Sequence, residues 1–364
     1  MRSHDAETTE TRADEQAVVR DRLWGALTDR DEYAAAATVF AAMDAGMAAE
    51  DVLLDVIAPV QHKVGTEWAA NRISVAQEHA ATAINDRVIA ALAHHPAGQT
   101  PGHGGRVSLA CVDGEWHALP ARLLAEVLRL RGWQVDFLGA QVPTPHLIAH
   151  LHQHGPDVVA LSCSIPVRLP NAHAAIIACQ AAGYPVLAGG AAFGRDGRFA
   201  RQLGADAWAP DARAAAERLD HGFSTVRRAL GRQPVDDLPH LLDQEYTMVS
   251  RTAAQLVKST VTDLENRFPA MSAYTEEQHQ HTVEDIAHIV DFLTVALYTD
   301  DDALFTDFIG WTAEILLARG VPAASLHPAL DLLTAQLNDF PRSQRLLRAA
   351  TDALAAIASP GAAE

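Results

Sequence analysis

Apolar positions recur at three-and-four spacing through the first quarter of the chain. Val18, Val19, Leu23, Trp24 and Leu27 form one stripe; residues 35–43, 52–68 and 74–92 carry three more, with Ser74 placed to cap the last. Polar breaks at Asp29-Arg30-Asp31, Ala48-Ala49-Glu50 and Asn71-Arg72 separate them, so the pattern predicts an antiparallel four-helix bundle over residues 16–96. Residues 1–15 are polar and acidic and are expected to form a disordered tail. A Gly/Pro-rich stretch follows the bundle, and the period then changes. Short apolar runs at 107–112, 134–138, 158–162, 186–188 and 207–209 alternate with helical patterns. The first helical pattern carries Leu123, Leu124, Val127 and Leu128; later ones start near Thr144, Asn171, Asp196 and Asp211. Such alternation over 104–222 predicts a doubly wound parallel sheet, most simply of flavodoxin-like, Rossmann-like order. Residues 223–240 read as a linker, and 241–364 as an all-helical domain with breaks at Thr275, Gly320-Val321-Pro322 and Phe340-Pro341. Its predicted helices span 246–268, 276–298, 301–319, 322–338 and 342–357. The fold class is α + α/β.

Composition restricts the partners more than the fold. A formal net charge of −18 and a pI near 5.4 argue against nucleic acid or an anionic membrane as a direct partner. The polar start lacks an apolar signal core and no apolar run approaches ~20 residues, so a cytoplasmic protein is expected. Cys111, Cys163 and Cys179 stand alone in apolar contexts, which suits buried thiols in a reducing compartment. No nucleophile–base constellation is visible. The chain is therefore expected not to be an enzyme by itself, any catalytic output belonging to a partner or another domain.

The chemistry concentrates at Gly114-Glu115-Trp116-His117-Ala118-Leu119-Pro120, the turn after the first predicted strand. Open α/β sheets place ligands at such carboxyl-end turns. His117 can reach a metal held above the sheet, and Glu115, two residues earlier, can hold its other ring nitrogen; the bland alternative is a solvated histidine. The third strand ends in Ser162-Cys163-Ser164 and the fourth in Ala188-Gly189-Gly190, with Phe193 just beyond. These small-residue loops share an edge with His117 and could admit a long polar group, although each alone is ordinary turn chemistry.

In these features residues 14–220 resemble cobalamin-binding modules, a four-helix cap over a Rossmann-like domain. The resemblance implies that His117 is the lower axial ligand of cobalt with the benzimidazole base displaced. It also implies that Ser162, Ser164, Gly189 and Gly190 bury the base and its nucleotide tail, and Glu115, Trp116 and Phe193 are expected among the cofactor-binding residues. Pro120 stands where the family loop ends in glycine. In the cap, Trp68 is followed after nine residues by Glu78-His79, which resembles the adenosylcobalamin-binding light sensors rather than the methyl carriers. By that resemblance Trp68 roofs the adenosyl group and Glu78 and His79 contact it; Trp68 by itself would be an ordinary core tryptophan. The light-dependent repressors follow this tryptophan with a histidine, whereas Ala69 follows it here, so bis-histidine ligation would need His62 or His79. No helix-turn-helix reader precedes the cap in this chain, which argues against a DNA-binding repressor.

The domain order further resembles photocobilins, photoreceptors that pair cobalamin with a bilin in a C-terminal globin-like domain. His281, Asp285 and His288 share one side of the predicted helix 276–298 and could serve the pyrrole nitrogens of biliverdin or a related bilin. Arg251, Lys258 or Arg267 could serve its propionates. Haem is the competing ligand, and a plain aromatic core under a solvated stripe is the bland alternative. No cysteine follows Cys179, so bilin binding is expected to be non-covalent. The expected protein is a light-sensing photoreceptor, a homo-oligomer expected to be a dimer, that signals to an unknown downstream partner. The alternatives are a corrinoid methyl carrier and an interaction module without chromophore.

Overall fold

In the computed structural model the four N-terminal stripes become α1 (Arg2–Asp29), α2 (Glu32–Asp44), a composite third helix and α5 (Val75–Leu92). The structure describes residues 2–95, 102, 105–221, 238–268, 271 and 273–358. The composite helix runs through α3 (Ala49–Asp51), a π-helical segment (Val52–Ile57) and α4 (Ala58–Ala69). Its π winding has a local cause. Pro59 has no N–H to give the Asp55 carbonyl four residues back, and Arg20 of α1 donates to that carbonyl instead, at 3.0 Å. The amide of Ala58 reaches Leu53, one residue further back than an α-turn allows. Ser74 caps α5 through a full capping box with Gln77. The tail expected at residues 1–15 is instead the start of α1. No proline interrupts residues 2–29, Ala13, Glu15 and Gln16 favour helix, and Arg12 pairs with Asp51.

Five parallel strands follow: β1 (Arg106–Cys111), β2 (Gln134–Gly139), β3 (Val158–Ser162), β4 (Val186–Gly189) and β5 (Ala207–Ala209). Their order is β2-β1-β3-β4-β5, so the chain reverses direction at β1. The crossovers are α6 (Leu119–Leu130), α7 (Thr144–His154), α8 (Leu169–Ala181) and α9 (Arg198–Gln202), with α10 (Ala212–Asp220) closing the layer. Val107, Leu109, Val159 and Val186 are fully buried, as the unbroken apolar runs of a sheet covered on both faces require. Cap and sheet share one apolar core, in which α6 is the common wall between them.

The chain divides into two compact units, Met1–Val235 and Asp236–Glu364. The second is built from α11 (Glu245–Arg267), α12 (Glu276–Thr299), α13 (Asp302–Ala318), α14 (His327–Gln336) and α15 (Pro341–Ala358). The stretch predicted as one helix over 322–338 is a short 3-10 turn, Ala323–Leu326, leading into α14. Phe292 and Phe308 stack at 3.7 Å in its core. Among the described residues, no helix is long and apolar enough to cross a membrane.

Candidate functional site

The turn after β1 is closed by one carboxylate. Glu115 is 1% exposed, and its Oε1 accepts the His117 backbone N–H at 2.8 Å and the ring Nδ1–H at 2.7 Å. Its Oε2 accepts the backbone N–H groups of Ser164 at 2.7 Å and Ile165 at 2.9 Å. Burial disfavours the charge, but these donors outweigh it and hold the Glu115 carboxyl down to about 2. An ionised carboxylate only accepts, so the proton sits on Nδ1 and Nε2 is left as the lone-pair nitrogen of the ring. The same bond raises the basicity of His117 against a smaller effect of burial, with the Glu115 and Glu78 charges adding to it. The His117 side chain remains 58% exposed. An imidazole held by a buried carboxylate and open at its second nitrogen fits a cobalt ligand.

The surroundings brace this turn. Gly114 lies at φ +77°, and a Cβ there would stand 3.1 Å from the Arg168 side chain. Gln141, itself at φ +49°, donates its amide to the Glu115 carbonyl at 2.9 Å, and Asn171 donates to the Asp113 carbonyl at 3.1 Å. Pro120 falls in the first turn of α6, where a helix has no use for its missing N–H. Trp116, next to the histidine, is 71% exposed.

The two small-residue loops meet beside it. Ser162 is buried and pairs with Cys111 on one side and Gly189 on the other. Gly190 lies at φ +103°, and a Cβ there would fall 2.2 Å from the Cys163 carbonyl, so the loops touch backbone to backbone. Ser164 and Gly189 are half-buried. Phe193 is fully buried, so it supports this edge from within the core and offers a ligand no surface of its own. Burial pushes the Cys111 thiol up to about 12 and Cys163 well above its ordinary value.

On the cap side, Trp68 is half-buried in the last turn of α4, with Ala69 beside it and His62 exposed one helix stretch earlier. Glu78 is half-buried and His79 exposed in the first turns of α5, the His79 ring 2.6 Å from the Glu78 carboxylate. The Glu78 charge adds to the raised basicity of His117. Sequence reasoning missed Arg168, Gln141 and Asn171, and also Gln61, Thr82 and Asn85 behind Glu78; none carries a spacing that marks it. The C-terminal trio lies in the other unit. His281 and His288 are exposed, while Asp285 is half-buried, its carboxyl pushed up by burial against the pull of His288, His281 and Arg319. Among the described residues no group of three or more His, Cys, Asp or Glu is placed to hold a metal ion.

A helical bundle packed on a doubly wound sheet, with a carboxylate-held imidazole in the first strand-to-helix turn, defines a cobalamin-binding region. Two family models, each described as a B12 binding domain, match residues 19–93 and 105–219, both within the N-terminal unit. Among individual proteins, the chain is similar to the HTH-type transcriptional repressor CarA of Myxococcus xanthus. It is 38% identical to CarA over 128 residues, 33% of this chain and 41% of that protein. The repressor CarH of the same organism is 33% identical over 144 residues, 38% of this chain and 46% of that protein. The chain thus spans less than half the length of the curated relatives it matches. In fold it is similar to the monomethylamine corrinoid protein of Methanosarcina barkeri, with a TM-score of 0.50 at 19% identity over 56% of this chain and 97% of that one.

Proposed function

We propose that this chain is a light-sensing cobalamin photoreceptor and not an enzyme. In this reading adenosylcobalamin is held base-off between cap and sheet domain, with His117 as the lower ligand of cobalt, and a bilin sits non-covalently in the C-terminal unit. The observation that carries the cobalamin part is the Glu115–His117 pair, a ring with its tautomer fixed by a buried carboxylate and its second nitrogen unengaged by it. Similarity to the CarA and CarH repressors, together with the Trp68-x9-Glu78-His79 pattern, favours a sensor over a methyl carrier. The bound cofactor supplies a cobalt–carbon bond that light cleaves. The chain's own part is to hold the ring of His117 from below and to offer Trp68 and Glu78 from the cap. A ligand shifts the cap's equilibrium only through contacts that differ between its two positions, so the cap residues are where light would be converted into a change of shape or self-association. A dimer signalling to a cytoplasmic partner is the output this reading implies. For the bilin, the reading rests on the aromatic core of α11–α15 and the His281/Asp285/His288 face.

The absorption spectrum of the loaded protein before and after green light tests the reading. A base-off adenosylcobalamin spectrum that bleaches is expected. Stable colour under light, with methyl transfer from methylcobalamin to an acceptor, would establish the carrier instead. Co-expression with a biliverdin source should add a red-absorbing pigment that organic extraction releases; a colourless C-terminal unit would end the bilin assignment.

A further inference from the structure

A line of polar side chains runs from the half-buried start of α5 into the apolar core of the cap, where Asn85 ends it. Asn85 is fully buried on α5 beside Ile84 and Val88, and donates Nδ2–H to Gln61 Oε1 on α4 at 2.8 Å. Gln61 Nε2–H donates to Thr82 Oγ at 2.7 Å, and the Thr82 hydroxyl donates to Glu78 Oε1 at 2.8 Å. Glu78 Oε2 accepts from the Nδ1–H of His79 at 2.6 Å. Asn85 Oδ1 accepts no hydrogen bond from the described residues. A buried amide with an idle acceptor costs stability, so the line is kept in spite of the core and not for it.

The direction of the line follows from Glu78. An ionised carboxylate has no proton to give, so Thr82 must donate to it and, having one proton, must accept from Gln61. Gln61 then has only its carbonyl to turn toward Asn85, which must donate. Each bond therefore points the same way, and chains of this kind polarise their members toward the charged end. That end is the Glu78 carboxylate in the first turn of α5, a helix that packs on α6, which begins two residues after His117.

We propose that Thr82, Gln61 and Asn85 are positioning residues that hold Glu78 in one orientation as a hydrogen-bond acceptor on the cap side of the proposed cobalamin site. The preference for adenosylcobalamin over methylcobalamin that the proposed function carries then depends on this line of residues. This rests on the cobalamin reading above. A locked acceptor rewards a ligand that brings donors and gives nothing to one that brings none. The side chains concerned are on two helices, Thr82 and Asn85 on α5 with Gln61 opposite on α4, so the selection depends on their packing as well as on Glu78.

The test compares dissociation constants of adenosylcobalamin and methylcobalamin for the full chain, by visible-absorption titration in the dark, in the wild type and in Thr82→Val, Thr82→Ser and Gln61→Glu. Gln61→Glu keeps the shape but removes the donor to Thr82, so it disrupts the direction of the line without opening a cavity. Thr82→Val and Gln61→Glu should weaken adenosylcobalamin about tenfold, the worth of roughly one charge-assisted hydrogen bond, while methylcobalamin changes by less than about twofold. Thr82→Ser should restore the wild-type ratio. Equal weakening of both cobalamins, or an unchanged ratio in Gln61→Glu, overturns the positioning role and leaves the cobalamin reading intact. A wild type that retains neither cobalamin overturns the cobalamin reading itself.

Discussion

Glu115 receives four hydrogen bonds from three residues, and its replacement by glutamine keeps the shape while removing two acceptor positions. The amide N–H groups of the variant would face donors from His117 or from Ser164 and Ile165. A loss of about 1–3 kcal/mol is expected in urea unfolding at pH 7. The folded carboxyl sits at about 2, below its ordinary 4.5. Its stabilisation is therefore full above pH 4.5 and disappears as pH falls toward 2. The gap between wild type and Glu115→Gln should accordingly shrink between those values; a gap that does not depend on pH would show that the charge is not what stabilises the turn. The Glu-x-His spacing was legible because a two-residue step lets one carboxylate meet both the amide and the ring of the same histidine. The other half of its shell was not, since the Ser164 and Ile165 amides lie about 50 residues on and reach Glu115 only once β1 and β3 pair. The Gly189-Gly190 pair was equally visible, but only the structure separates Gly190, pressed on Cys163, from Gly189, which has room.

Helix boundaries divide in the same way. Ser74, Asp211 and Thr275 cap their helices with their own side chains, a local signal that sequence displays. The start of α15 is capped from far away. Glu245, 5% exposed on α11, accepts the backbone N–H groups of Arg342 and Ser343, each at 2.9 Å, and the Ser343 hydroxyl at 3.0 Å. Negative charge at a helix N-terminus is favourable, and these donors have no partner inside their own helix. Glu245→Ala should cost the C-terminal unit about 1–3 kcal/mol. Hydrogen exchange would locate the loss: faster exchange at Ser343 and along the first turn of α15, with α5 unchanged. Protection that stays the same would mean that solvent replaces the cap without cost. The misjudged start of α1 has a related origin, because a polar run rich in helix formers looks like a tail until another helix offers Arg12 its Asp51.

Cap and sheet domain are held by charge at the far end of α6 from His117. Glu50 takes Arg131 through two bonds, at 2.7 and 3.0 Å, while Arg213 reaches toward Glu50, Asp51 and Asp55. Arg131 also binds Asp220, which accepts the Trp133 indole N–H at 2.8 Å. Their carboxylate partners push Arg131 further up from its already high value. Glu50→Gln should cost about 1–2 kcal/mol, a fraction that shrinks as salt is added. Limited proteolysis at low and high ionic strength would check it, with cap cleavage rising in the variant and, under salt, in the wild type; salt-independent cleavage would mean that apolar packing alone joins the two. Three carboxylates of this clamp, Glu50, Asp51 and Asp55, border or lie in the π-helical turn, and that turn has a consequence for phase. Val52, Val56, Val60, Val64 and Trp68 recur at every fourth residue, as do Ala49, Leu53, Ile57 and Gln61. In an unbroken α-helix each such step drifts by about 40°, so a row of five would slide off its own face. Wider winding over Val52–Ile57 takes up part of that drift. Pro59, by refusing one hydrogen bond, thus works as a spacer in the helix's clock, and it turns the indole of Trp68 and the amide of Gln61 back toward the hour of the residues that begin their rows.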